Sequence, residues 1–360
     1  MRDTAAVVAF TRTTWDGWDY LPDVWASWLE GRDGAVFAAE AAETAETAAS
    51  AERSGRAETA PGRPIAVGRV TLLSASEAWM EGLRVDPAIR GHGVATAFQA
   101  AELSWAQAQG ATVVRYATGE TNEASLHLGA RHGFALAGRW RALRPEEPVG
   151  AAASSVGVSK AGPTQPKTPS RRAAILEHLD AGGLVAREPA GDARARARLW
   201  ERLATDATFV AGERLYEWRA WAWQALTGER LARHVEHGEL LLAEDKGGWA
   251  MGLLASERLP GETRLALLGG DANAALRLIE GVTNAAGRRP IIRLPEGSPL
   301  IEGLASSLGR TGWRVGDHVL VLMARPLRDA SGRALPLPTD GMERVEFVEE
   351  PHALGLRPAR

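Results

Sequence analysis

The chain has 360 residues, 45% of them hydrophobic and 24% charged, with a formal net charge of -3 and no cysteine. That length holds two domains, and the near-balanced charge gives no electrostatic basis for binding nucleic acid or a membrane surface. The lack of cysteine excludes disulfides, thiolate metal sites and a cysteine nucleophile. No apolar run reaches the roughly 18 residues that span a bilayer, and Met1-Arg2-Asp3-Thr4 lacks the layout of a signal peptide, so the expected location is the cytoplasm.

In chain order, residues 4–31 read as two helices broken near Gly17. Trp15, Trp18, Tyr20, Leu21, Val24, Trp25 and Trp28 gather there, as a core face or as the wall of an acceptor pocket. A short strand is expected over 34–39. Residues 40–63 carry no large apolar side chain, cannot bury enough surface to order themselves, and read as a solvated insertion. Strands are expected at 64–75 and 79–85, a helix at 94–109, a strand at 112–116, a helix at 122–132 and a strand at 136–143.

The stretch from Leu83 to Phe98 organises the rest. Asp86-Pro87 stops a strand, because proline cannot donate to a ladder and restricts the residue before it. Arg90-Gly91-His92-Gly93 is a compact loop. Val94, Ala97, Phe98, Ala101 and Leu103 then follow at helical spacing. A helix N-terminus offers unpaired N–H groups and a dipole that favours negative charge. Gly91 and Gly93 let backbone approach a ligand closely, and Arg90 adds a fixed positive fork. The stretch therefore reads as a cradle for phosphate or pyrophosphate, against the plainer reading of a glycine-bearing strand-to-helix turn. It has neither the three glycines of a dinucleotide fingerprint nor a P-loop lysine.

The spacing Arg90-x-x-Gly93-x-Ala95, with Val85-Asp86-Pro87 before it, resembles the acetyl-CoA signature of the GNAT N-acetyltransferases. A second stretch, from Asn122 to Gly133-Phe134, is similar to that family's helix opened by Asn and closed by Gly-Phe. The resemblance implies an α/β (α+β) fold of two tandem GNAT-like domains, each a mixed, mostly antiparallel sheet flanked by helices. The expected divisions are 1–146, a Pro/Gly/Ser-rich linker at 147–170, a second domain at 171–327 and a tail at 328–360. The family opens with a strand before its first helix. Here that strand is expected from elsewhere in the chain or from before the recorded start.

The second half repeats the first in weaker form. Strands are expected at 184–188, 239–244, 249–257, 263–268, 290–294 and 315–326, with helices at 192–204, 273–286 and 298–310. A tryptophan-rich helix is expected at 216–226; its Trp218, Trp221 and Trp223 read as core or as the lining of a cleft between the halves. Where the first half has its cradle, the second has Gly269-Gly270-Asp271-Ala272, without arginine and with a carboxylate that repels phosphate. Ile301 stands where Asn122 does. The second domain is therefore expected to be degenerate and to hold no cofactor. In the tail, 342–348 is expected as a strand that pairs with the first domain's sheet.

The resemblance implies transfer of an acetyl group from the cosubstrate acetyl-CoA to a primary amine by direct attack. Backbone of Leu83, Arg84 and Val85 would hold the pantetheine, and Arg90, Gly91, His92, Gly93, Val94, Ala95 and Thr96 the phosphates. Glu81 is the candidate general base, working through water; otherwise it is a solvated strand carboxylate or a partner of Arg84. Asn122 would contact pantetheine or the acceptor, or cap its helix, with Ser125 as a lesser contact. Many family members carry a tyrosine at the position of Gly129 to protonate the leaving thiolate; Tyr116 is the candidate substitute, or a packing residue. His127 and His132, at i and i+5, make a poor metal spacing, so no metal is expected. Expected partners are a small-molecule or peptide amine and a second copy in a homodimer, with no nucleic acid and no membrane. The other reading is a non-catalytic acetyl-CoA-binding or regulatory protein.

Overall fold

The computed structural model describes residues 4–12, 14, 19–41, 64–145, 171–184, 193–219, 221–246, 248–255, 263–311, 313–337 and 345–350. Nearly all of the expected insertion at 40–63, and the whole linker at 147–170, lie outside them. The chain divides into two compact units. Unit 1 comprises Met1–Thr118, Asn122–Leu136 and Met323–Arg360; unit 2 comprises Gly119–Thr121 and Ala137–Leu322. The expected divisions followed chain order, whereas each unit takes pieces from both sides of residue 146.

Unit 1 opens with helices α1 (Thr4–Thr11) and α2 (Leu21–Glu30), followed by strands β1 (Gly34–Ala41), β2 (Pro64–Leu72) and β3 (Glu77–Val85). Helix α3 (Val94–Ala108), strand β4 (Val113–Gly119) and helix α4 (Glu123–Arg131) complete its N-terminal part. β1–β2 and β2–β3 are antiparallel, β3–β4 parallel. Val7, Phe10, Leu21, Val24, Trp25 and Trp28 pack against Val36 and Val67, so the described part of the aromatic group is core, as its helical spacing predicts.

The C-terminal part of the chain finishes this unit. Leu327 N donates to Thr112 O at 2.8 Å, beside β4. Gln107 of α3 donates from Nε2 to Leu327 O at 3.1 Å and to Leu335 O at 3.0 Å. Strand β13 (Val345–Glu350) pairs antiparallel with β1, from Val36↔Glu350 to Ala41↔Val345. The strand expected in the tail is therefore present on the first sheet, flanking β1. A strand from elsewhere in the chain was one of the two expected sources.

Unit 2 takes most of β5 (Ala135–Pro145), then α5 (Arg171–Ala181), α6 (Ala193–Ala204) and α7 (Ala207–Ala211). Next come β6 (Leu215–Arg219), β7 (Ala222–Ala225), α8 (Gly228–Glu236), β8 (Leu240–Asp245), β9 (Gly248–Leu254), β10 (Arg264–Gly270), α9 (Ala272–Ala286), β11 (Ile291–Pro295), α10 (Pro299–Thr311) and most of β12 (Trp313–Pro326). From β8 onward this repeats the order of unit 1 from β1. Its strands run β12-β5-β11-β10-β9-β8, and α9 buries Leu278, Ile279 and Val282 in the core. Of the strand expected at 184–188 only Leu184 is described; its carbonyl accepts from Leu242 N at 2.8 Å.

Two expectations for unit 2 are corrected. The helix expected over 216–226 is instead the hairpin β6–β7, with Arg219 opposite Ala222. In its turn Trp221 has φ +64° and is 44% exposed, while Trp223 is buried. The strained turn is held by Trp221 N donating to Glu217 Oε1 at 2.8 Å and by the Arg293 guanidinium 4.6 Å from the Trp221 ring. The residue matching Asn122 is Ser298, not Ile301. Ser298 Oγ accepts from Ile301 N at 3.4 Å as Asn122 Oδ1 accepts from Ser125 N at 3.3 Å, and a branched apolar side chain cannot cap a helix.

Candidate functional site

β3 and β4 pair only from Glu77↔Val113 to Trp79↔Arg115. Beyond that the parallel strands separate, and β3 turns from buried at Met80 to half-buried from Glu81 to Val85. On its other edge β3 is bulged. Gly82 and Leu83 lie between the pairs Arg69↔Glu81 and Val67↔Arg84, opposite the single residue Gly68. Such a bulge re-aims the groups that follow it. Gly82 has φ +73°, and a Cβ there would stand 2.2 Å from the Trp28 ring. Glycine is required both for the backbone and for the indole lying on it.

Arg84 is tied down by its side chain. Its Nε and Nη2 donate to Asp19 at 2.6 and 3.1 Å, its Nη1 donates to Leu83 O at 3.2 Å, and its guanidinium stacks 5.6 Å from the Tyr20 ring. Asp19, its carboxylate fully buried, also accepts from Leu21 N at 3.0 Å and so joins the start of α2 to β3. Only the backbone of Arg84 remains for a ligand. Glu81 is half-buried across from Arg69.

After β3, Asp86 Oδ1 accepts from Ala88 N at 3.0 Å and caps a single 3-10 turn, Pro87–Ile89. The loop Arg90–Gly93 is exposed. Gly91 and Gly93 have φ +83° and +80°, and a Cβ on either would meet nothing within 4 Å. Open space thus faces the loop at both glycines. Gly93 caps α3 with no side-chain hydrogen bond, and the first turn of α3 holds no acidic residue. The N–H groups of Val94, Ala95 and Thr96 precede the first helical bond, from Ala97 N to Gly93 O. Arg90 Nε donates to Val85 O at 3.3 Å. His92 Nδ1 faces two carbonyls, Ile89 O at 3.1 Å and Arg90 O at 3.0 Å, so this nitrogen carries the proton. The residues expected to hold phosphate are thus brought together at a helix N-terminus whose first amides have no intrahelical acceptor.

Residues 14–134 match the family described as "Acetyltransferase (GNAT) family". This stretch is a GNAT domain. Solved structures resembling the chain include a GCN5-related N-acetyltransferase from Sphaerobacter thermophilus, at 18% identity over 83% of this chain and 98% of that one, TM-score 0.41. Another, from Kribbella flavida, has 15% identity over 90% and 70%, TM-score 0.35. A tandem GNAT protein from the clavulanic acid biosynthesis pathway has 12% identity over 81% and 98%, TM-score 0.37. A search of curated proteins found no match.

The GNAT domain places its other expected site residues less openly. Asn122 caps α4 through Oδ1 and donates from Nδ2 to Thr118 Oγ1 at 2.9 Å. Ser125 supplies its N–H to that cap and its carbonyl to Tyr116, whose hydroxyl donates to it at 3.0 Å. Tyr116 is buried against the edge of Phe134, with ring centroids 5.0 Å apart. Burial pushes its phenol up to about 12. A Cβ on Gly129 would stand 2.0 Å from the Tyr116 oxygen, so glycine at 129 makes room for this phenol. With its proton committed to a backbone carbonyl and its acidity weakened, Tyr116 packs the site. Among the described residues no helix is long and apolar enough to cross a membrane.

Gly82 and Asp19, which shape β3 here, are not among the expected site residues, whereas Trp28 belongs to the aromatic group expected as a core face or a pocket wall. The signal for Gly82 was available, since a lone glycine inside a strand marks a bulge or a close approach. The pairing of Asp19 with Arg84, 65 positions apart, had none.

Proposed function

We propose that the GNAT domain transfers the acetyl group of acetyl-CoA to a primary amine by direct attack, in a cytoplasmic setting. The observation that carries this reading is the loop at Gly91 and Gly93: two positive-φ glycines opening onto free space before an uncapped helix N-terminus. That is a fit for pyrophosphate, and the exposed Arg90 adds charge beside it. The half-buried backbone from Glu81 to Val85, where β3 leaves β4, suits an extended pantetheine arm.

Acetyl-CoA supplies the activated acyl carbon. Glu81, one residue before the bulge, takes the proton of the attacking amine through a water. Arg84 and Asp19 hold the start of α2 against β3, three residues from Glu81. Gly129 offers the leaving sulfur no side-chain proton, and Tyr116 keeps its own. That feature favours the second reading, an acetyl-CoA-binding protein without turnover, and turnover with any amine separates the two.

Calorimetry with acetyl-CoA on the whole chain tests the proposal. The expected result is one site per chain, lost in Gly93→Glu, with melting raised in the wild type only. Ligand at about 100 times Kd stabilises a fold by about 2.7 kcal/mol. Wild-type protein that neither binds nor melts higher refutes it.

A further inference from the structure

Unit 2 has a parallel strand pair of the same kind as β3–β4. β10 and β11 pair at Arg264↔Ile291 and Leu265↔Ile292 and then part. Parted strands leave backbone groups that must find partners. In unit 1 the strand beside the gap is half-buried from Glu81 to Val85, but in unit 2 β10 is buried from Arg264 to Gly269. Something in unit 2 covers it.

The cover is the chain itself. Phe209 and Thr208 of α7, both 2% exposed, pack against Leu267 and Leu268 of β10 and Leu294 and Pro295 of β11, around a void of about 10 Å³. That is room for about one water. The polar contacts are made as well. Asp206 Oδ2 accepts from Gly270 N at 3.0 Å, and Thr208 Oγ1 accepts from Leu300 N, in the first turn of α10, at 3.3 Å. A Cβ on Gly269 would stand 2.9 Å from Asp206 Oδ1, and one on Gly212 2.9 Å from Pro295 Cγ. The segment therefore lies in contact at both ends.

We infer that residues 206–212 are a built-in occupant of the unit 2 cleft, a peptide stand-in for the ligand that the corresponding gap of unit 1 accepts. This rests on the reading of unit 1 given above. It makes unit 2 permanently closed, with its strand and helix amides satisfied by Asp206 and Thr208. One chain then takes one coenzyme, and unit 2 is rigid whether or not unit 1 is loaded.

Hydrogen exchange on the full chain, with and without coenzyme A, tests this. The amides of Gly270 and Leu300 are expected to be protected without coenzyme A and to gain nothing from it. In Asp206→Ala/Thr208→Val both should exchange about fivefold faster or more, the loss of one net hydrogen bond. Asp206→Asn keeps an acceptor, should fold as the wild type does, and should keep Gly270 protected. Coenzyme A protecting Gly270 or Leu300 overturns the inference, and so does unchanged exchange in the double variant. If the double variant does not fold, fast exchange at these two amides in the wild type overturns the inference, and slow exchange there with Gly270 still protected in Asp206→Asn supports it. If coenzyme A protects no part of the chain, the reading of unit 1 fails instead, and the plug is judged on its amides alone.

Discussion

Glu102 sits in the middle of α3 with 1% of its surface exposed. Both its carboxyl oxygens are buried and, among the described residues, have no hydrogen-bond partner. It lies flat on β2, where a Cβ on Gly68 would stand 2.6 Å from Oε1. Burial raises its pKa well above the usual carboxylate value. In the unfolded chain the group titrates near 4.3. Below that pH both states are protonated and it costs nothing extra. As pH rises from there to the raised folded value, the unfolded state sheds its proton first, and folding loses about 1.4 kcal/mol per pH unit. Glu102→Met keeps the length of the side chain and removes both the charge and the unmet polar atoms. We expect it to stabilise the protein at neutral pH by about 1–3 kcal/mol, roughly 2–12 °C in melting temperature for a unit of 150–250 residues. Melting of both proteins at pH 4.5, 6 and 8 should show the gap widening with pH. A gap that stays constant or closes as pH rises refutes the reasoning.

Three further outcomes follow from the same geometry. Glu81→Gln should lower kcat about 100-fold or more and leave the calorimetric affinity for acetyl-CoA unchanged; an unaltered kcat removes Glu81 from the mechanism. Tyr116→Phe should cost about 1 kcal/mol in urea unfolding for the lost bond to Ser125 with kcat retained, and a tenfold fall in kcat would restore the phenol as a proton donor. Ending the chain after residue 337 should lower the melting temperature and promote aggregation, because β1 is left as a bare edge. Unchanged melting and solubility would show that β13 does not hold unit 1 together.

The local features were the readable ones. Proline after a strand, two glycines, and a run of good helix formers dictate the loop and α3 through backbone freedom and propensity, which act within a few residues. Asn122 was assigned both a cap and a ligand contact; the cap is there because capping is decided three residues away. The hairpin over 215–225 reads as a helix in sequence because Tyr216 and Trp223, seven residues apart, fit one helix face as well as Tyr216 and Trp218 fit alternation in a strand, and no glycine or asparagine stands between Arg219 and Ala222 to mark a turn. What turns Trp221 to positive φ is a buried carboxylate and an arginine 72 residues on. The sharing of both halves of the chain between the two units depends on pairings hundreds of residues apart, which leave no local pattern.

The strand that flanks β1 is made long after β1 itself. About 300 residues separate Ala41 from Val345. At about 5–20 residues per second a ribosome needs roughly 15–60 s to cover that distance. For that interval the nascent first sheet lacks its outer strand, and α3 lacks the segment that Gln107 fastens to it. Completion of the first sheet is thus timed by the arrival of residues 345–350. A stalled or prematurely terminated product would present an unpaired strand edge to the crowded cell rather than a smaller complete sheet.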